Sequence, residues 1–216
     1  MNALGRRLPS GEELIEQAAL RQKVYRVQAA AFLDPPDAKL IGFLADNYPF
    51  LFPRETPERT ASFEKALRVD FTNLFLLSSP PYEAALVDES GHLNSSATDR
   101  VTDFYRSCGF SPGRGGGGSH HSGLVAMDHI SAELEFLAHL AGREENAWRS
   151  EDRPLAAESL SGAARFMDAH LLRWMPLLTA STEEDAETDF YRALSKWTRE
   201  FALEDRKHIE NVLRNA

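Results

Sequence analysis

The sequence is poor in cysteine, in long apolar runs, in positive charge and in strand pattern, and each shortage removes a class of protein. Cys108 is the only cysteine among 216 residues. An intramolecular disulfide is therefore impossible, and a cysteine-rich zinc or iron–sulfur site is excluded. A reducing compartment suits such a chain. No run of about 18 apolar residues occurs, so the pattern contains no membrane-spanning segment. Lys and Arg number 24 against 33 Asp and Glu, a formal charge of −9. Without a basic run the chain lacks the counterion-releasing footprint of a general nucleic-acid binder, and small basic partners are favoured instead. Period-two alternation between turn clusters is absent, which leaves a sheet little to be built from.

What is present is helical period in a composition, 43% hydrophobic and 26% charged, that suits a soluble globular domain. Leu14 to Leu33 is a helical stretch ended by Asp34, Pro35 and Pro36. Phe63, Leu67, Phe71 and Leu74 line one face of a helix expected from Glu58 to Leu77. Val101 to Cys108 reads as a short helix closed by Gly109 in the left-handed conformation. Ile130, Leu134, Leu137 and Ala141 form a further stripe, as do Leu160, Ala164, Met167, Leu171, Trp174 and Leu178. The last, Phe190, Leu194, Trp197 and Phe201, continues through Ile209 and Leu213. The fold class is all-α, a single-domain helical bundle.

Three breaks are expected: around Pro49, Pro53 and Pro57, from Ser78 to Ser96, and from Ser111 to Gly123. The last contains Gly115 to Gly118, whose ordering would cost much backbone entropy, so residues 111–123 read as a mobile loop. Residues 1–10 read as a flexible tail before a domain spanning 11–216. Arg6 and Arg7 are followed by Leu8, Pro9, Ser10, Gly11, Glu12 and Glu13, not by an apolar stretch. The pair therefore reads as a loose basic tail rather than an export signal, and the expected location is the cytoplasm. Hinge-like connections leave a monomer and a domain-swapped dimer both open.

The densest polar cluster, Asp128, His129, Glu133, Glu135 and His139, opens a helix. At about 100° per residue, His129 and Glu133 fall together at one edge of the Ile130 stripe, half-buried beside the core, with Glu135 and His139 opposite. Two readings stay open. His129 and Glu133 join His120 or His121 as ligands of a metal-dependent enzyme, or Asp128 caps the helix, His129 bonds locally and Glu133 makes an ordinary side-chain pair. Pro80 and Pro81 stiffen the chain before Tyr82 and Glu83, which either face a groove or plug the core. Nucleophilic catalysis finds little support: Gly-x-Ser-x-Gly is missing, and no Gly-Lys-Ser/Thr follows the glycine run. A helical scaffold without a groove is a third possibility.

The order of motifs says more than any one of them. Asp70-Phe71-Thr72-Asn73-Leu74-Phe75 is followed by Pro80-Pro81-Tyr82-Glu83, then by Asp103-Phe104-Tyr105-Arg106-Ser107-Cys108-Gly109. Next come Met127-Asp128-His129-Ile130-Ser131-Ala132-Glu133-Leu134-Glu135-Phe136, His170-Leu171-Leu172-Arg173-Trp174-Met175-Pro176 and Phe190-Tyr191. From about Val24 to Leu203 this series resembles the TorD/DmsD/NarJ family of molybdoenzyme maturation chaperones. Met127 stands where that family commonly has proline, and Ala84 where it commonly has serine.

The resemblance implies an all-helical cytoplasmic chaperone, not an enzyme, with no catalytic residue, metal or cofactor of its own. Its partners would be the twin-arginine signal peptide and apo-form of a molybdopterin-dependent oxidoreductase, held back from export until the cofactor is inserted. A receptor for such a leader needs carboxylates beside an apolar groove. Asp128, Glu133 and Glu83 are expected to meet the arginines, Tyr82, Tyr25 and Phe71 to line the apolar part, and His129 to orient a carboxylate.

Overall fold

A capping box starts the first helix. The Ser10 hydroxyl accepts from the Glu13 N–H at 3.2 Å while the Glu13 carboxylate accepts from the Ser10 N–H at 2.6 Å. The structure is a computed structural model that describes residues 10–53, 61–87, 96–112 and 126–215. The tail expected over 1–10 and the glycine loop expected over 111–123 therefore lie almost wholly outside the described residues.

Helix α1 (Gly11–Leu33) ends at Asp34, before two prolines that cannot continue it. Helix α2 (Ala38–Asn47) is capped by Asp37, which accepts from the Leu40 N–H at 2.8 Å. It buries Ile41 and Leu44 and leads into a 3-10 turn, Pro49–Leu51. Helix α3 (Ala61–Phe71) widens into a π-helical stretch, Thr72–Ser78, so the expected helix to Leu77 is present with its last turns underwound. Residues 58–60 of that expected helix lie outside the described residues.

A short helix α4 (Glu83–Val87) stands where an irregular connection is expected from the prolines alone. Helix α5 (Ser96–Ser107) closes at Gly109, whose φ of 66° is the left-handed conformation that glycine adopts without a Cβ clash. Helices α6 (Ile130–Arg149) and α7 (Arg153–Phe166) form a hairpin. A second π-helical stretch, Met167–Leu171, joins α7 to α8 (Leu172–Asp185) one turn before Pro176, which has no N–H to continue the regular ladder. Helix α9 (Asp189–Asn215) completes the bundle.

Among the described residues there is no strand, only an isolated bridge between Tyr82 and His129, so the molecule is all-α. None of the described helices is long and apolar enough to cross a membrane. Helix α1 lies along α6, while α9 packs on α7 and α8. The core between them is rich in rings, including Trp174, Tyr105, Tyr191, Phe136, Phe166 and Phe190. Each fully buried ring of this size contributes roughly 2–3 kcal/mol by removing apolar surface from water.

Two polar devices pin the bundle. Arg21 of α1 pairs with Glu144 of α6 and with Asp205 of α9, all three buried, and Tyr25 donates to Asp205 at 2.6 Å. Burial works against the Arg21 charge, but Asp205 and Glu144 hold its proton more firmly than usual. Asp70 of α3 accepts from the Thr188 N–H at 2.8 Å and from the Thr188 hydroxyl at 2.6 Å, tying α3 to the start of α9.

Candidate functional site

The site is built where the proline-stiffened segment 80–84 crosses the entrance to α6. Neither Pro80 nor Pro81 has an N–H, so the segment follows an extended path, and the Pro81 carbonyl accepts from the Ile130 N–H at 2.9 Å. The Glu83 N–H donates to the Asp128 carbonyl at 2.9 Å, and the Ala84 N–H donates to the Asp128 carboxylate at 3.0 Å. Asp128 therefore caps α4, not α6 as one reading of the sequence has it. The α6 cap is His129, whose extended backbone (φ −74°, ψ 142°) lets Nδ1 accept from the Ser131 N–H at 3.1 Å. Its local bonding, including Nδ1 at 2.6 Å from the Ser131 hydroxyl, is as that reading expects.

Beneath this junction two further motifs converge, those of Tyr105 and of His170 and Trp174. Trp174 of α8 donates from Nε1 to both oxygens of Glu133, at 3.2 and 3.3 Å. His170 Nδ1 lies 2.9 Å from Glu83 Oε2, and Tyr105 of α5 donates to the Met127 carbonyl at 3.0 Å. The Tyr82 and His129 rings meet edge to face with centroids 4.9 Å apart. His129 and Glu133 are buried, not half-buried, because α4 and Trp174 cover the edge of the stripe that α6 alone would leave open. Glu133 is a core group bound by an indole from another helix rather than a member of an ordinary helical pair.

Glu83, Asp128 and Glu133 are each 0% exposed. Burial, then the charges of Glu83 and Asp128, push the Glu133 carboxyl well above its ordinary range against the opposing Trp174 bond. Burial drives His129 down to about 3, so its imidazole is neutral and its Nδ1 free to accept. Burial and the neighbouring acids Glu133, Asp128 and Glu83 raise the Tyr105 phenol well above 10. Burial, then Asp128, raises that of Tyr82. Glu83 Oε1 and Asp128 Oδ1 have no hydrogen-bond partner among the described residues. The result is an acid-rich knot that fixes the Tyr82 ring, half-buried, at its outer edge.

The structure thus brings together Tyr82, Glu83, Asp128, His129 and Glu133. It places Tyr25 in the Arg21–Asp205 network with its ring against Phe201, and Phe71 in the core against Phe75 and Tyr191. His170, Trp174 and Tyr105 belong to the knot although none of them is among the site residues expected from the sequence. The signal for them in the sequence is membership of the quoted motifs, since the spacing that includes Trp174 marks only a core stripe. Leu76 and Leu77, at 63% and 74% exposed, are large apolar side chains left in solvent by the underwound end of α3. Among the described residues no group of three His, Cys, Asp or Glu is placed to hold a metal, and His120 and His121 lie outside them.

The family described as nitrate reductase delta subunit matches residues 32–180. The chain is 28% identical over 162 residues to the perchlorate reductase assembly chaperone protein of Dechloromonas aromatica (strain RCB), covering 71% of this chain and 64% of that protein. It is 24% identical over 151 residues to the chaperone protein TorD of Vibrio cholerae (strain ATCC 39541 / Classical Ogawa 395 / O395), covering 68% and 64%. The match thus spans just under two thirds of each relative's length. On the extent of the family match, more than two thirds of its length, the chain belongs to the nitrate reductase delta subunit family, that of the TorD, DmsD and NarJ proteins.

Proposed function

We propose that this protein is a cytoplasmic assembly chaperone, not an enzyme, that binds the twin-arginine leader and the apo-form of a molybdopterin-dependent oxidoreductase and delays export until the cofactor is in place. The observation that carries the reading is the convergence of four motif segments on the Tyr82–His129 junction, a fixed acid-rich feature, in a molecule that also leaves the apolar side chains of Leu76 and Leu77 exposed. Family membership and the names of both relatives as chaperones support it.

A leader combines guanidinium groups with an apolar helix-forming stretch, so its receptor joins acid to grease. The apolar stretch lies against Leu76 and Leu77, which are anchored to the core through Phe71 and Phe75 on the same helical segment. Ser79 of that segment lies 3.4 Å from Ser181, which donates to the exposed Asp185 carboxylate at 3.2 Å, so acid adjoins this surface. Tyr82 supplies a ring at the junction. Glu83, Asp128, His129 and Glu133 act from beneath, by holding that junction in place, while Tyr25 locks α1 against α9.

Anisotropy titration of a fluorescent twin-arginine leader, with thermal melts in parallel, tests the reading. Leu76→Ser with Leu77→Ser is expected to weaken binding about tenfold with little change in melting, since both side chains are already in water. Asp128→Ala with His129→Ala is expected to weaken binding and also lower the melting temperature. Unchanged affinity in both double variants would overturn the proposal.

A further inference from the structure

A polar cleft of about 320 Å³ opens between α1 and the later turns of α6, away from the acid knot. Gln22 and Arg26, one turn apart on α1, face Glu135, His139, Arg143 and Asn146 on α6 across it. In a chain of net charge −9, two guanidinium groups on one cleft do not follow from a generally basic surface. Their donors are also poorly used. Arg26, Gln22 and Asn146 have no side-chain partner among the described residues, and Arg143 reaches only Glu158, at 3.3 Å. His139 Nε2 is buried without a hydrogen-bond partner. Glu135, the one carboxylate on the lining, is already engaged.

The packing keeps these donors close. Gly142 sits on the lining, and a Cβ there would come within 2.0 Å of Gln22 Nε2, so the absent side chain is what lets the Gln22 amide lie against α6. Burial and the charge of Arg143 hold His139 below its usual range, so the ring adds a neutral donor or acceptor rather than a third charge. Phe110 packs on the His139 ring at 5.2 Å and closes one side with apolar surface.

From this cleft we infer that the protein has a binding site for a small oxyanion, a phosphate or carboxylate group held between Arg26 and Arg143 with the Gln22 and Asn146 amides completing its shell. Planar guanidinium forks match two oxygens of such a group at once, and amide N–H groups supply neutral donors to the remainder. The site is separate from the Tyr82–His129 junction and does not rest on the leader-binding proposal.

Calorimetric titration of the full chain with sodium phosphate and, separately, sodium succinate, at ionic strength fixed with sodium chloride, tests this and distinguishes the two sources of oxyanion. Saturable heat is expected for at least one of them. Arg26→Gln and Arg143→Gln are each expected to weaken it about tenfold, the loss of a charge-assisted bond. Arg26 is exposed and Arg143 partly so, and neither change threatens the fold. Glu158→Gln, which releases Arg143, is expected to hold or tighten binding. No saturable heat with either anion, or wild-type affinity in Arg26→Gln, would overturn the inference.

Discussion

His170 Nδ1 and Glu83 Oε2 lie 2.9 Å apart although the two residues are 87 positions apart in the chain, and both are buried. The contact joins the π-helical stretch before α8 to the first residue of α4, and so fastens the proline-stiffened segment onto the bundle.

Removing one partner leaves the other buried and unsatisfied. His170→Ala is expected to destabilise the protein by about 2–3 kcal/mol, and chemical denaturation at neutral pH measures it. Pairing His170→Leu with Glu83→Met replaces the polar contact with apolar packing and is expected to recover most of the loss. A double variant as unstable as the single one would mean that the contact acts through shape rather than polarity.

Glu133 gives a pH signature. Its folded-state carboxyl titrates well above the ordinary value of 4.5, so its contribution to stability is complete below about that pH and is lost as pH rises through the folded value. Glu133→Gln removes the ionisation while keeping an acceptor for Trp174. The variant is therefore expected to gain stability relative to wild type as pH is raised, as read from urea melts across the range.

His129 gives the opposite slope. With a folded value of about 3 against an ordinary 6.5, it contributes stability that is present above 6.5 and lost as pH falls toward 3. Asparagine is also a good N-cap, so His129→Asn is expected to match wild type at neutral pH and to lose less stability on acidification. His129→Ala is expected to cost about 1 kcal/mol at neutral pH. An unchanged acid slope in His129→Asn would place the titration elsewhere.

Arg21 sits between two buried carboxylates, and Arg21→Met leaves both without their counter-charge. A loss of about 3–5 kcal/mol is expected in equilibrium unfolding. Adding Glu144→Gln and Asp205→Asn to that variant is expected to restore part of it. The test is independent of the Tyr82–His129 junction, because Arg21 makes its pairs at the other end of α6.

Much of the fold is legible in the chain. The stripes led by Phe63, Ile130, Leu160 and Phe190 each become a buried helix face, and Gly109 adopts the positive φ expected of it. Helix α2 is not legible in the chain because Ile41 and Leu44 are too few to show a period, and the prolines around it suggest irregularity. Helix α4 is hidden for a related reason: its first N–H groups are capped by Asp128, 44 residues away from Ala84, which no local pattern displays.

By itself the sequence determined an all-helical chain with a motif series that marks its family, because a 3.6-residue period and motif order are properties of the chain read along its length. Only the tertiary structure decided which residue caps which helix, that Glu133 is a buried acid bound by Trp174, and that Tyr25 and Asp128 belong to different networks. Those outcomes depend on burial and on partners that are distant in sequence. Desolvation and through-space charge set a side chain's protonation and bonding, and both are fixed only when the helices meet.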